Sequence, residues 1–324
     1  MKSLFITALT YIRLPGALGR GIRLPSDLIL TNDRALIGEL LSPRFELIVG
    51  HLEASALRNA HAVVYSIKEY PDKELQDPQN ARLLLINSMR SVQTFLQSLW
   101  LIKDNSVNFE LGFQEFPFKK GYTSSVNSNF LAFFVSKADG SRDFTEFDSS
   151  EARAARDIAT KLFSPSPREA EDQGYIVPED FNRLSRVLHF LQVARASSDL
   201  GLKVAHYVTC FEALFSTDST ELAHKLAERM ALFLGKNVGE RTKIFKQVKA
   251  AYNIRSKVVH GDKITKKIAE QIHELLRSCD ELLRGSLMKI LTTPNLPGVF
   301  LRSPNDLEDY FIGMVLDNGL VSEQ

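Results

Sequence analysis

From residue 179 to residue 291 the chain places an apolar side chain at every third or fourth position, a spacing that forms a continuous face only on an α-helix. The segments with this spacing are Glu179–Ala196, Gly201–Ser216, Thr220–Leu234, Glu240–Val259 and Thr265–Leu291. Gly201–Ser216 is the most apolar of them and is expected at the centre. Five helices with short connections predict a helical bundle.

A proline-rich stretch precedes the bundle. Ser164–Pro167 reads Ser-Pro-Ser-Pro, and Pro178 follows shortly before the first helical segment. Proline has no backbone donor and disfavours a helical conformation at the residue before it. We therefore predict a linker at residues 166–178 between an N-terminal domain at 1–165 and the bundle at 179–292. A tail at 293–324 is expected to carry a short helix near Asn305–Leu316.

The N-terminal domain mixes strands and helices. The strand-like segments are Leu4–Ile12, Asp27–Leu30, Val107–Phe118, Asn129–Val135 and Phe144–Phe147. Residues 138–141, Ala-Asp-Gly-Ser, predict a hairpin turn between the last two of these strands. Helical spacing from Asn80 to Lys103 predicts one long helix. The predicted fold class is therefore α+β, with a mixed α/β N-terminal domain followed by an all-α bundle.

Several classes of site are excluded by the motifs that the sequence lacks. It has no glycine-rich nucleotide loop, no HExxH or CxxC pair, no acidic calcium loop and no GxSxG elbow. We therefore predict no metal and no other cofactor. His206 and Cys210 lie one helical turn apart, but a buried apolar cysteine is favoured over a nucleophile there.

The cellular location is inferred from two further features of the composition. Two cysteines, Cys210 and Cys279, cannot form a disulfide framework, so a cytoplasmic location is expected. No apolar run reaches the length of a membrane-spanning helix, so no membrane association is predicted.

The charge is unevenly distributed along the chain. The net charge is only +1, but residues 179–291 carry 19 lysines and arginines against 13 aspartates and glutamates. Between Lys236 and Lys267 ten basic residues are opposed only by Glu240 and Asp262. Such an excess is typical of a surface that contacts nucleic-acid phosphates, and it also occurs on solvated helix faces.

The end of the fourth helical segment carries the strongest candidate for chemistry, Arg255-Ser256-Lys257-Val258-Val259-His260-Gly261. A histidine titrates near neutral pH and can exchange a proton with a ribose 2′-hydroxyl. An arginine stays charged and matches the oxygens of a phosphate. On a regular helix, residues five apart point about 140° away from each other. Arg255 and His260 therefore converge only if the helix ends or loosens near His260.

The stretch Ala251–Gly261, Ala-Tyr-Asn-Ile-Arg-Ser-Lys-Val-Val-His-Gly, resembles the signature of the HEPN superfamily, in particular its Apea-like branch. Cys210–Ser216 and the helix that carries Arg229 resemble the central helices of that branch. Leu99–Ser106 is similar to part of a domain often fused to it. The resemblance covers about residues 180–290 and implies a small helical domain that dimerises and cleaves RNA without a metal.

The resemblance also implies roles for individual residues. Arg255 and His260 become the catalytic pair, and Ser256 stands where the family frequently has Asn, Asp or His. Glu212 is expected to be a buried partner that orients Arg255 or Arg229, and Tyr252 either packs in the core or stacks on a base. The lysines expected to contact RNA phosphates are Lys249, Lys257, Lys263 and Lys266.

The resemblance leaves two functions open. The first is a metal-independent endoribonuclease that acts as a homodimer through the bundle, as a toxin or antiviral effector, with a trigger or regulator at the N-terminal domain. The second is a non-catalytic module that dimerises and binds RNA or a protein partner. Ser256 favours the second function, whereas Arg255, His260 and the surrounding lysines favour the first.

Overall fold

The computed structural model describes residues 2–71, 77–116, 125–130, 134–162, 182–218 and 220–317. The chain forms two compact units. The first contains residues 1–134 and 142–174, and the second contains residues 135–141 and 175–324. The short segment 135–141 therefore belongs to the second unit, although sequence analysis assigned it to the N-terminal domain.

The first unit is built on an antiparallel sheet. Its strands are β1 (Lys2–Leu9), β2 (Ile12–Arg13), β3 (Ile22–Arg23), β4 (Ile29–Thr31), β5 (Ala62–Glu69), β6 (Leu111–Phe116), β7 (Ser125–Phe130) and β8 (Thr145–Glu146). Six of them form the sheet in the order β3-β4-β5-β1-β6-β7, and β2 pairs with β8 separately. The central strand β1 pairs along its whole length with β5, from Lys2 opposite Glu69 to Leu9 opposite Ala62.

Helices cover both faces of this sheet. They are α1 (Arg34–Leu40), α2 (Pro43–Val49), α3 (His51–Asn59), α4 (Pro78–Ile102) and α5 (Ser149–Leu162). Successive side chains of a strand point to opposite faces. Phe5 of β1 accordingly joins a core with Met89 and Phe95 of α4, whereas its neighbour Ile6 packs with Phe45 of α2. The result is a layer of helices on each side of the sheet.

The predicted hairpin across residues 138–141 is wrong as a pair of strands. β7 pairs with β6, and β8 pairs in parallel with β2. The turn itself is present: the amide of Lys137 donates to the carbonyl of Ser141, and Gly140 adopts a left-handed φ of +88°. The two flanking segments therefore pair with other strands and not with each other.

The second unit is helical, which confirms the predicted α+β fold class. Its helices are α6 (Arg183–Ala196), α7 (Leu200–Phe215), α8 (Leu222–Leu234), α9 (Val238–His260), α10 (Lys266–Thr292), α11 (Leu296–Phe300) and α12 (Pro304–Asp317). As predicted, α7 is the most buried helix, with Tyr207, Phe211 and Phe215 inaccessible to solvent. The hydroxyl of Tyr207 donates to the buried carboxylate of Asp280 on α10 at 2.8 Å.

The C-terminal helix α12 packs on the bundle. Glu308 accepts a hydrogen bond from Arg229 of α8 at 2.6 Å, and the same guanidinium lies 4.8 Å from the ring centre of Phe311. Phe311 also contacts Phe215, with ring centres 5.9 Å apart. The predicted tail helix is therefore part of the core of the second unit. In the described part of the chain, no helix has both the length and the apolar content needed to span a bilayer.

Polar contacts hold segment 135–141 in place. The ammonium of Lys203, a fully buried residue of α7, donates to the hydroxyl of Ser136 at 2.6 Å and to the carbonyl of Lys137 at 2.7 Å. The carboxylate of Asp139 accepts a hydrogen bond from Arg277 of α10 at 2.8 Å. These bonds join positions far apart in sequence, so local sequence patterns gave no indication of them.

We expect the contribution of Asp139 to stability to depend on pH. Burial alone would raise its pKa, but hydrogen bonds from Ser141 and Arg277 outweigh burial and lower the pKa to about 2. Because the pKa of the folded state lies below the ordinary value, the ionised group stabilises the fold at neutral pH. This contribution is lost as the pH falls from about 4 towards 2. Asp139→Asn should therefore lower the melting temperature at pH 7 and lower it less at pH 3.

The measurement is a series of melting curves of the wild type and the variant between pH 7 and pH 3. Glu270→Gln, which removes an exposed carboxylate from α10, is the control. An equal difference at every pH for Asp139→Asn would show that the ionised carboxylate contributes nothing beyond packing.

Candidate functional site

Helix α9 carries the candidate motif, and both of its ends are fixed by local hydrogen bonds. At its start, Asn237 accepts from the amide of Glu240 at 2.9 Å. At its end, Gly261 takes a left-handed φ of +75°, and the amide of Asp262 donates to the carbonyl of Lys257 at 2.8 Å. This end structure requires a residue that tolerates positive φ, which explains the glycine directly after His260.

His260 is the last residue of α9, and its side chain is exposed. The helix continues without loosening up to His260. Arg255 and His260 are therefore about 140° apart around the helix and about 7.5 Å apart along its axis. The helix does end near His260, as the sequence indicated, but it is regular up to that residue. The end therefore comes too late to bring the two side chains together within one chain.

Arg255 faces α7. Its guanidinium lies 3.6 Å from the carboxylate of Glu212, with 28% of the Arg255 side chain and 17% of the Glu212 side chain exposed. The ring centre of Tyr252 is 5.7 Å from the central carbon of the guanidinium. The expectation that Glu212 pairs with Arg255 is confirmed, and Arg229 has Glu308 as a partner instead.

The pair of Arg255 and Glu212 leaves hydrogen-bonding capacity unused. In the described residues, Nε of Arg255 and Oε1 of Glu212 are buried atoms without a hydrogen-bond partner. Burial raises the pKa of Glu212, and the charge of Arg255 opposes that shift. Nε itself is buried, but the exposed part of the guanidinium can bind an additional anionic partner, such as a phosphate oxygen.

The predicted phosphate contacts lie around this helix end. Lys263 and Lys266 are exposed, and Lys249 and Lys257 are half-buried. Across the ranges that the structure describes, none of these four lysines forms an ion pair. Their charge is therefore not neutralised by the carboxylates described. Ser256 is half-buried and lines, with Lys257, a cleft between α9 and α10.

The structure gives no support to a Cys–His nucleophile on α7. Cys210 is fully buried, and burial raises the pKa of its thiol far above the ordinary value. Burial also lowers the pKa of His206. Where the structure describes the chain, no three His, Cys, Asp or Glu side chains are grouped so that they could hold a metal ion.

Asn253 is a further polar residue of α9 that was not among the predicted site residues. It precedes His260 by seven residues, which is two helical turns, so the two residues lie within about 20° on the same side of α9. Lys246, Asn253 and His260 follow one another at intervals of seven residues, and this spacing was the feature of the sequence that could have indicated their common side of the helix. It was hidden within a run that is dominated by basic side chains, from Lys236 to Lys267. Asn253 is exposed and lines the cleft beside Ser256.

The chain was compared with models of known protein families, with curated proteins and with solved structures, and none of the three comparisons found a match.

Proposed function

We propose that the protein is a metal-independent endoribonuclease whose catalytic groups are Arg255 and His260. The observation that carries the proposal is the end of α9, where an exposed histidine, a partly exposed arginine and four lysines outside ion pairs lie within a few helical turns. Proton transfer, phosphate recognition and backbone attraction are the three tasks of RNA cleavage by 2′-hydroxyl attack. These residue types perform all three.

In the proposed reaction, His260 removes the proton of a ribose 2′-hydroxyl. The oxygen attacks the adjacent phosphorus, and the 5′-oxygen of the next nucleotide leaves with a proton from a second acid. The products are a 2′,3′-cyclic phosphate and a 5′-hydroxyl end. Arg255 stabilises the negative charge that develops on the phosphate oxygens. Glu212 orients Arg255 through their ion pair.

The angle between Arg255 and His260 supports a site shared by two chains. One His260 can serve as base and the His260 of a second copy as acid, with both copies of Arg255 in the shared cleft. The apolar side chains near the helix end support self-association: Val259 is 57% exposed and Leu202 is 46% exposed. Their chain neighbours are in contact, since a Cβ on Gly201 of α7 would lie 3.0 Å from the side chain of Val258. We therefore propose a two-fold homodimer through the bundle.

The biological setting of the proposal follows the resemblance to the HEPN superfamily. The proposed role is that of a toxin or antiviral effector in the cytoplasm, with RNA as its substrate. The N-terminal domain is the proposed site of a trigger or regulator.

The alternative is a non-catalytic module that dimerises and binds RNA or a protein partner. One observation favours it: the guanidinium of Arg255 already has Glu212 and Tyr252 as neighbours. In that case Arg255 would serve the packing of α9 on α7, and the lysines would bind RNA without cleaving it.

The test is incubation of the full chain with total RNA in the presence of excess EDTA, followed by electrophoresis. The proposal predicts fragments, and their amount should fall steeply with added salt because phosphate contacts release counterions. If RNA is retarded in a native gel but stays intact, the binding module is the correct function. If RNA is neither bound nor cut, the ribonuclease proposal is wrong and so is a role of the module in binding RNA.

A further inference from the structure

A cleft of about 740 Å³ lies between α9 and α10. This volume is in the range of sites that bind small molecules. Ser256 and Lys257 of the candidate motif form part of its wall, and Asn253, also in the wall, is on the same side of α9 as His260. The cleft is therefore adjacent to the proposed catalytic groups without containing them.

The lining of the cleft combines an apolar surface with polar groups that can form hydrogen bonds to the edge of a planar ligand. Ile254, Ile268 and Leu275 supply the apolar part. The polar part includes the carboxamides of Gln247, Asn253 and Gln271. The amide of Gln247 donates to the hydroxyl of Ser278 on α10 at 3.0 Å, which links the two walls. Within the described ranges, Asn253 and Gln271 make no hydrogen bond, so both carboxamides are available to a ligand.

Charged groups at the cleft divide into two kinds. Lys246 and Lys257 are cations suited to a phosphate, whereas Asp262 and Glu274 are carboxylates that only accept hydrogen bonds when ionised. The lining is thus balanced in charge and would not select a ligand by charge alone. A planar ring with donors and acceptors on its edge, attached to one phosphate, offers a chemical partner to each of these kinds of group.

We infer that the cleft is a nucleobase subsite that holds one base of the bound RNA, with its phosphate at Lys246 or Lys257. This inference rests on the proposed function and names a determinant of its specificity. Side-chain carboxamides recognise adenine through two hydrogen bonds, and carboxylates accept from the amino group of cytosine. Uracil has no exocyclic amino group to donate to Asp262 or Glu274. The subsite should therefore favour bases with an amino group over uracil.

The distance from the cleft to His260 fits this arrangement. Asn253 and His260 are seven residues apart, which corresponds to about 10 Å along the helix axis. If one base of an RNA strand lies in the cleft, the neighbouring phosphates of that strand would lie along the end of α9. The base held by Asn253 would then lie close to the cleaved bond and bias the cleavage position.

The test is titration of the full chain with AMP, CMP, GMP and UMP, followed by NMR. These probes have no phosphodiester bond, so binding is measured without cleavage. We expect saturable binding that is weakest for UMP. Asn253→Leu should weaken binding of the other three nucleotides about tenfold, since a paired amide contributes that much discrimination. Asn305→Leu makes the same substitution at an exposed position of α12 and should leave the affinities unchanged.

Cleavage-site mapping of RNA by the same variants separates the two proposals. If Asn253→Leu cuts RNA with an altered base preference, the subsite is supported. If RNA is cut but nucleotide binding and base preference are the same in Asn253→Leu as in the wild type, the subsite is wrong and the ribonuclease proposal stands. If nucleotides bind in an Asn253-dependent manner and RNA is never cut, the subsite stands and the ribonuclease proposal fails.

Discussion

Replacement of His260 by alanine is expected to abolish RNA cleavage and to leave the fold intact. The side chain is exposed at the last position of α9, so its loss should cost less than about 1 kcal/mol of stability. Its loss also removes both the proposed base and the proposed acid from a homodimer. The measurement is the initial rate of cleavage in EDTA together with the melting temperature.

Two comparisons make this result specific. His51→Ala, which removes an exposed histidine at the start of α3, should cleave RNA at the wild-type rate. A mixture of wild-type and His260→Ala chains should lose more activity than dilution explains, because mixed dimers lack one of the two histidines. A large fall in melting temperature with His260→Ala would instead identify His260 as a structural residue.

Replacement of Arg255 by lysine is expected to reduce the turnover rate about a hundredfold, the usual effect of removing one group that stabilises transition-state charge. Lysine keeps the positive charge towards Glu212, so the ion pair across α7 and α9 is preserved. It lacks the planar fork that binds two phosphate oxygens at once. RNA affinity should change little, because the unpaired lysines provide most of the attraction to the backbone.

The matched control is Arg302→Lys, an exposed arginine after α11. It should have the turnover rate of the wild type. If Arg255→Lys retains near-normal turnover, the guanidinium serves only the packing against Glu212, and the transition-state role assigned to it is wrong.

The helices of the second unit follow closely from the sequence. The predicted segment Gly201–Ser216 is observed as Leu200–Phe215, and Thr265–Leu291 is observed as Lys266–Thr292. Side chains that accept from backbone amides fix the starts, as Asp199 does for Leu202 at 2.9 Å. Helical periodicity and local caps are short-range features, so a sequence displays them directly.

Much of the first unit could not be predicted in the same way. The central strand β5 was missed because Ala62–Tyr65 is buried at every position and shows no alternation. The helices α1, α2 and α3 have only seven to nine residues each, which is too short for a clear helical period.

The sequence indicated which residues belong to the candidate site, but it did not indicate how their side chains are arranged. The ion pair between Glu212 and Arg255 could be proposed because Glu212 lies in an apolar helix and needs a partner. Whether α9 stays helical to His260 depends on Gly261 and on packing against α7. The cleft beside Asn253 depends on the distance between α9 and α10, which sequence spacing within either helix does not contain.

The chemical nature of the product ends tests the central claim most directly, because only 2′-hydroxyl attack joins the 2′ and 3′ oxygens of one ribose. Total RNA is incubated with the wild type and with His260→Ala in excess EDTA, and the 3′ ends are identified by their susceptibility to a 2′,3′-cyclic phosphodiesterase. The account predicts 2′,3′-cyclic phosphate ends from the wild type and no new ends from His260→Ala. Fragments that carry 3′-hydroxyl ends, or equal cleavage by His260→Ala, would contradict it.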